Sequence, residues 1–224
     1  MNRKILGAFI LLAVTALACG GGDVLPGGGE EESPPTPIPA DALFQDDFGD
    51  PNSGWEVGDY EGGDVGYKDG VYFVTSTTQD MMMWGVSNRS FDNVIIEVDV
   101  TQISAGPENN NGYGVVCREQ GGIDGYGYYL RISGDGYYSI ARAADGEITA
   151  LVDWTESSAV NKGNATNHIR AICDSTNIEL FVNGEQVGAV EDSTFAAGDI
   201  AFTATTYESE MTKVHFDNLV VLKP

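Results

Sequence analysis

The chain has 224 residues, with 34 acidic side chains against 11 basic ones and a formal charge of −23. So acidic a surface repels phosphate backbones and anionic lipid, which excludes nucleic-acid binding and direct membrane adsorption as its main work. Cations, uncharged ligands and plain solubility outside the cell remain.

Residues 1–4 carry two positive charges, residues 5–18 form an apolar run too short to span a bilayer comfortably, and small residues precede Cys19. Residues 1–18 therefore read as an export signal. The tetrapeptide Ala16-Leu17-Ala18-Cys19 resembles a bacterial lipobox, with Ala16 where Leu is commoner. The resemblance implies that Cys19 becomes a lipidated N-terminus, fixing the protein to the extracytoplasmic face of the cell envelope through lipid alone. Several acyl chains on one residue hold firmly, at about 0.8 kcal/mol per buried CH₂. Loss of Arg3 and Lys4 leaves 9 bases against 34 acids, a formal charge of −25. Residues 19–42 are rich in Gly, Pro and Glu, too poor in apolar surface to fold, and read as a spacer.

Residues 43–224 are long enough for one domain with a sizeable core. Nearly every segment is a short β-branched and aromatic run bounded by Gly, Asn or Asp, and no stretch keeps a helical period for ten residues. Hairpin turns are expected at Lys68-Asp69-Gly70, Gly134-Asp135-Gly136, Asp145-Gly146 and Asn183-Gly184. About a dozen strands in one domain need two packed sheets, since a single open sheet leaves a broad apolar face wet. The expected fold is all-β, a two-sheet antiparallel jelly-roll sandwich. With Cys19 assigned to lipid, Cys117 and Cys173 remain as an even pair in an exported domain and are expected to be bonded.

The segments "NHIRAICDSTNIELFVNGEQV", "AAGDIAFTA" and "VHFDNLVV", with the opening "LFQDDFGDPNSGW", resemble the concanavalin A-like lectin/glucanase sandwich. The likeness is closest to its laminin-G-like and glycoside hydrolase family 16-related domains. It covers most of residues 43–223 and implies a fold shared by hydrolases, sugar-binding modules and adhesion domains.

Family 16 hydrolases carry Glu-x-Asp-x-x-Glu or Glu-x-Asp-x-Glu on one strand, the outer carboxylates serving as nucleophile and acid/base. In "NVIIEVDVTQ" the first two positions match at Glu97 and Asp99, but position 101 is Thr and position 102 is Gln. Gln102 cannot deliver a proton, so the acid/base role has no occupant on this strand. Alternation instead puts Val94, Ile96, Val98 and Val100 in the core, with Glu97 and Asp99 facing solvent.

Sugar sites on sandwiches use exposed aromatic faces beside charged or amide groups. If Tyr128, Leu130 and Ile132 point inward, Tyr129 and Arg131 point outward; Arg118, Tyr137 and Trp154 are candidates to join them, flanked by Glu97 and Asp99 if that strand shares the sheet. Related sandwiches hold a structural Ca²⁺ between first and last strands, and the matching residues are Asp217 and then Asp47. The leading expectation is a non-catalytic, lipid-anchored module that binds a polysaccharide or another cell-surface ligand. Its rivals are a carbohydrate-active hydrolase with a non-standard acid pair and an adhesion domain with a protein partner.

Overall fold

The computed structural model describes residues 42–121 and 125–224. The expected leader, Cys19 and residues 20–41 of the spacer lie outside the described residues. Among the described residues every regular element is a strand: β1 (Ala42–Asp46), β2 (Gly58–Tyr60), β3 (Gly63–Lys68), β4 (Val71–Ser76), β5 (Met82–Phe91), β6 (Val94–Ser104), β7 (Asn111–Glu119), β8 (Gly127–Ile132), β9 (Tyr137–Ala144), β10 (Glu147–Glu156), β11 (Thr166–Asp174), β12 (Asn177–Val182), β13 (Glu185–Glu191), β14 (Gly198–Thr206) and β15 (Thr212–Leu222).

They form two antiparallel sheets. One runs β13-β12-β11-β6-β15-β4-β3-β2, with β1 also paired to β15; the other runs β10-β9-β8-β7-β14-β5. The expected two-sheet jelly-roll sandwich is the observed fold. All four hairpins turn where the sequence places them, the second between Ile132 of β8 and Tyr137 of β9. Asp69 and Gly70, Asp145 and Gly146, and Asn183 and Gly184 all have positive φ, the left-handed pair that a tight two-residue hairpin requires.

The core lies between the sheets and is built from alternate residues of each strand. Val94, Ile96, Val98 and Val100 of β6 face Tyr113 and Val115 of β7 and Tyr128, Leu130 and Ile132 of β8, all fully buried or nearly so. Phe202 stacks between Trp55 at 4.4 Å and Phe216 at 4.2 Å between ring centroids. Cys117 of β7 and Cys173 of β11 form a disulfide that joins one sheet to the other.

One irregularity positions the site. The register of β7 against β14 shifts between the pairs Ala201↔Val116 and Asp199↔Glu119. The bulged residue is Arg118, in the left-handed region at φ 55°. The extra residue brings Glu119 to the same outward side as Val116, and it sends Arg118 to the end of the sandwich. There the guanidinium, 1 % exposed, donates to the carbonyls of Asp92, Ser175, Phe195 and Cys173 and to Asn93 Oδ1 at 2.7 to 3.3 Å.

Candidate functional site

The six-stranded sheet has a second apolar cluster on the face turned away from the core. Val116, Tyr129, Ala141, Ala143 and Ala201 form it, with Met82, Trp84 and Val86 packed against them. An outer face this well covered is unlike a simple solvated sheet surface, which alternates apolar inside with polar outside. Beside the cluster Gly114 lies opposite both Arg131 and Thr203, and Gly112 lies opposite Thr205. With no side chains at those two positions the middle of the face is low, and the Trp154 ring settles over it: a Cβ on Gly112 would meet that ring at 3.2 Å.

Polar groups on this face are incompletely paired. Arg131 is only 6 % exposed and no carboxylate pairs with it among the described residues. Its guanidinium lies 5.2 Å from the Trp154 ring centroid and 5.8 Å from that of Tyr129. Its hydrogen bonds are long, 3.4 Å from Nη1 to Tyr207 Oη and 3.5 Å from Nη2 to Ser139 Oγ. Nε has no partner, and neither has Thr205 Oγ1 nor Glu119 Oε1. Burying a polar atom unpaired costs about 1–3 kcal/mol, so each of these atoms is held at a cost to the fold.

Two hollows flank the centre. The smaller, about 340 Å³, is walled by Trp154, Tyr137, Tyr207 and the polar side chains of Asn110, Asn111 and Asp135. The larger, about 770 Å³, lies at the Glu119 end and is lined by Trp84, Met82, Val86, Tyr60, Glu56, Glu119 and Asp199 among others. Glu119 accepts a hydrogen bond from the Gly121 N–H at 2.8 Å through Oε2. Burial pushes its pKa up; the Gly121 bond works against this, and the carboxylates of Asp199 and Glu56 add to it. A carboxyl with a raised folded pKa supports the fold fully at pH below the ordinary glutamate value, and that support is lost as pH climbs through the raised value. Glu119→Gln is therefore expected to raise the melting temperature at pH 7 and to leave it nearly unchanged at pH 3. Thermal melts at both pH values check this.

The structure brings together four of the residues singled out in the sequence, Tyr129, Arg131, Tyr137 and Trp154, although Tyr129 is buried with its hydroxyl on the Gly125 carbonyl and offers no exposed ring face, and it separates three others from them. Arg118 is committed to main-chain carbonyls at the sandwich end, because the bulge turns it off the alternating face. Glu97 and Asp99 lie on β6, in the other sheet. Glu97 pairs with Arg170 at 2.5 Å, and Asp99 with His168 at 2.8 Å and the Asn218 amide at 3.0 Å. Gln102 is buried and holds Asn109, Asn111 and Asn164 by its amide, a structural role. Trp84, Glu119, Glu56, Asp199 and Thr205 were not indicated by the sequence patterns. A usable signal existed for Trp84: "MMMWGV" is apolar on both sides of the strand, which requires cover on both faces.

The cation site expected from Asp47 and Asp217 is weakly furnished. Asp217 has a raised pKa, from burial first and then from the charges of Asp99 and Asp47, against one hydrogen bond from the Asn218 N–H. Asp99 is already engaged. Among the described residues no three His, Cys, Asp or Glu side chains come together as metal ligands, so Asp47 and Asp217 would need backbone carbonyls and water to complete the oxygen-rich shell that Ca²⁺ takes.

A family model described as a 3-keto-alpha-glucoside-1,2-lyase-like domain matches residues 40–222. No curated protein sequence matches the chain. Among solved structures, the carbohydrate-binding module CBM66 from Bacillus subtilis is 17% identical with a TM-score of 0.54, covering 76% of this chain and 96% of that one. The Bacillus licheniformis beta-glucanase is 12% identical with a TM-score of 0.61, covering 81% and 98%. A Bacillus subtilis protein of unknown function with a galectin-like fold is 14% identical with a TM-score of 0.58, covering 81% and 96%. At these identities the likeness is one of fold, the concanavalin A-like sandwich.

Proposed function

Because the chain belongs, through residues 40–222, to the family of 3-keto-alpha-glucoside-1,2-lyase-like domains, we propose that it works on a saccharide, bound on the outer face of the six-stranded sheet. The observation that carries this reading is the pair of hollows on that face, one walled by Trp84 beside Glu119 and Asp199, the other by Trp154 beside Asn110, Asn111 and Asp135. A pyranose has the complementary chemistry: an apolar side to lie against an indole and hydroxyls to satisfy donors and acceptors. A binding module matched in fold by the CBM66 structure is the simpler form of the reading. The lipid expected on Cys19 would hold such a domain at the cell surface, where polysaccharide is met. Trp84→Ala and Trp154→Ala are each expected to weaken oligosaccharide binding about tenfold, the worth of a stacked aromatic. Tryptophan fluorescence titration measures this, and unchanged affinity in both variants refutes the assignment of the face.

A second reading, catalysis, is favoured by Glu119 in particular. Elimination from a 3-keto-glucoside needs a base to take the C2 proton, acidified by the neighbouring ketone. The freed electron pair forms the C1–C2 double bond as the C1–O bond breaks, and the leaving oxygen takes up a proton. Glu119, its pKa raised by burial first and then by Asp199 and Glu56, is the group on this face suited to take that proton. Formation of the ultraviolet-absorbing enone from a 3-keto-glucoside, lost in Glu119→Gln, would establish catalysis; retention of the substrate unchanged would leave binding alone.

A further inference from the structure

The larger hollow has a one-sided charge. Four carboxylates line it, Glu56, Glu61, Glu119 and Asp199, and no Lys, Arg or His does. Four acids elsewhere in the domain are matched to bases: Glu97 to Arg170, Asp99 to His168, Glu156 to Lys162 and Asp192 to Arg142. None of the four in the hollow has such a partner among the described residues. What holds them is weaker and local. Glu56 takes the Tyr60 hydroxyl at 2.5 Å and the Val86 N–H at 3.3 Å, and Asp199 takes the Ser87 hydroxyl at 2.5 Å and the Ile200 N–H at 2.7 Å, both through Oδ1. Glu119 is 3 % exposed and keeps Oε1 with no donor. A buried acceptor facing other carboxylates is complemented by a donor that brings positive charge with it.

The kind of cation follows from the spacing and the walls. Ca²⁺ takes six to eight oxygens converging within about 2.3 to 2.6 Å of one point, and no three acids converge as metal ligands among the described residues. The acids are spread around a space of about 770 Å³ whose other walls include Trp84, Met82, Val86, the exposed Tyr60 and Met81, and the amide of Asn88. Such a space suits an ammonium carried on a ring with apolar faces, since indole and thioether surfaces also attract cations and ring C–H edges.

We propose that the saccharide taken by this hollow is an amino sugar with its amine free and charged, the ammonium donating to Glu119 and Asp199. The proposal rests on the saccharide reading of the same face and adds the charge class of the ligand. The groups facing Glu119 are Asp199 from β14, Glu56 from the segment before β2 and the neutral phenol of Tyr129 from β8, so nothing on the protein side supplies the missing positive charge. Occupation by an ammonium also favours the ionised form of Glu119, so binding displaces a proton wherever that carboxyl is still protonated.

The test is calorimetric titration of the full chain at pH 6.5 with three disaccharides of one skeleton: β-1,4-linked glucosamine disaccharide, its N,N′-diacetyl form and cellobiose. The free amine is expected to bind at least tenfold more tightly than either neutral sugar. Its advantage over the neutral sugars should shrink in 0.5 M sodium chloride and in Glu119→Gln, while cellobiose binding does not respond to the salt. Equal or tighter binding of a neutral disaccharide overturns the amine assignment and leaves the saccharide reading standing. Binding of none of the three overturns both.

Discussion

Arg118→Met is expected to cost the domain about 3–5 kcal/mol, a melting-temperature drop of roughly 10 °C for a domain of this size. The guanidinium spends all five of its N–H groups on carbonyls and an amide oxygen drawn from β11 of the opposite sheet and from three loops at that end of the sandwich. Methionine fills a similar volume and removes a buried charge, which offsets part of the loss. It cannot donate, however, and the acceptors it abandons are sealed from water. Residue 118 also sits at φ 55°, a conformation that costs a non-glycine side chain energy and persists only where surrounding bonds hold it. A melt of this variant that matches the wild type would show that the knot of carbonyl contacts carries no stability.

Breaking the neighbouring disulfide has an effect of similar size. Cys117 and Cys173 are separated by 56 positions. Closing a loop of that length removes enough freedom from the unfolded chain to stabilise the fold by about 4 kcal/mol. The double variant Cys117→Ala, Cys173→Ala is expected to lose about that much in denaturant unfolding. Arg118 Nη2 donates to the carbonyl of Cys173, so the bond and the guanidinium clasp the same corner of β7 and β11. Combined with Arg118→Met, the losses should fall short of their sum, because each substitution already loosens what the other holds. Strict additivity in a double-mutant cycle would mean that the two act independently.

Both features bear on the site, because the corner they fix is where β7 bulges and turns Glu119 outward. The sandwich was legible in the alternation of strands such as Val94 to Val100 and in the Asp-Gly and Asn-Gly turns, whose chemistry is local to a few residues. The outward pair Tyr129 and Arg131 was legible for the same reason: β8 is regular from end to end, so its inside and outside follow from parity. Arg118 and Glu119 were not. A single bulged residue reverses parity beyond it, and what places the bulge is the fit of one sheet's edge against loops distant in sequence. Whether Glu97 and Asp99 stand near Arg131 depended on strand order, and strand order is set by contacts between sheets that no local pattern records. Trp84 was hidden differently, since an outward tryptophan on a strand with an apolar inner face looks like core until the second layer is seen.

The central claim is that this domain takes saccharide on the outer face of its six-stranded sheet and not on the face carrying Glu97. The most direct measurement is retention on an array of immobilised glycans by the full chain and its Trp84→Ala and Glu97→Gln variants, compared at equal folded concentration. Wild type and Glu97→Gln are predicted to retain the same glycans equally, and Trp84→Ala to lose about nine-tenths of that retention. Retention that survives Trp84→Ala and disappears with Glu97→Gln, or an array on which the wild type holds no glycan, would contradict it.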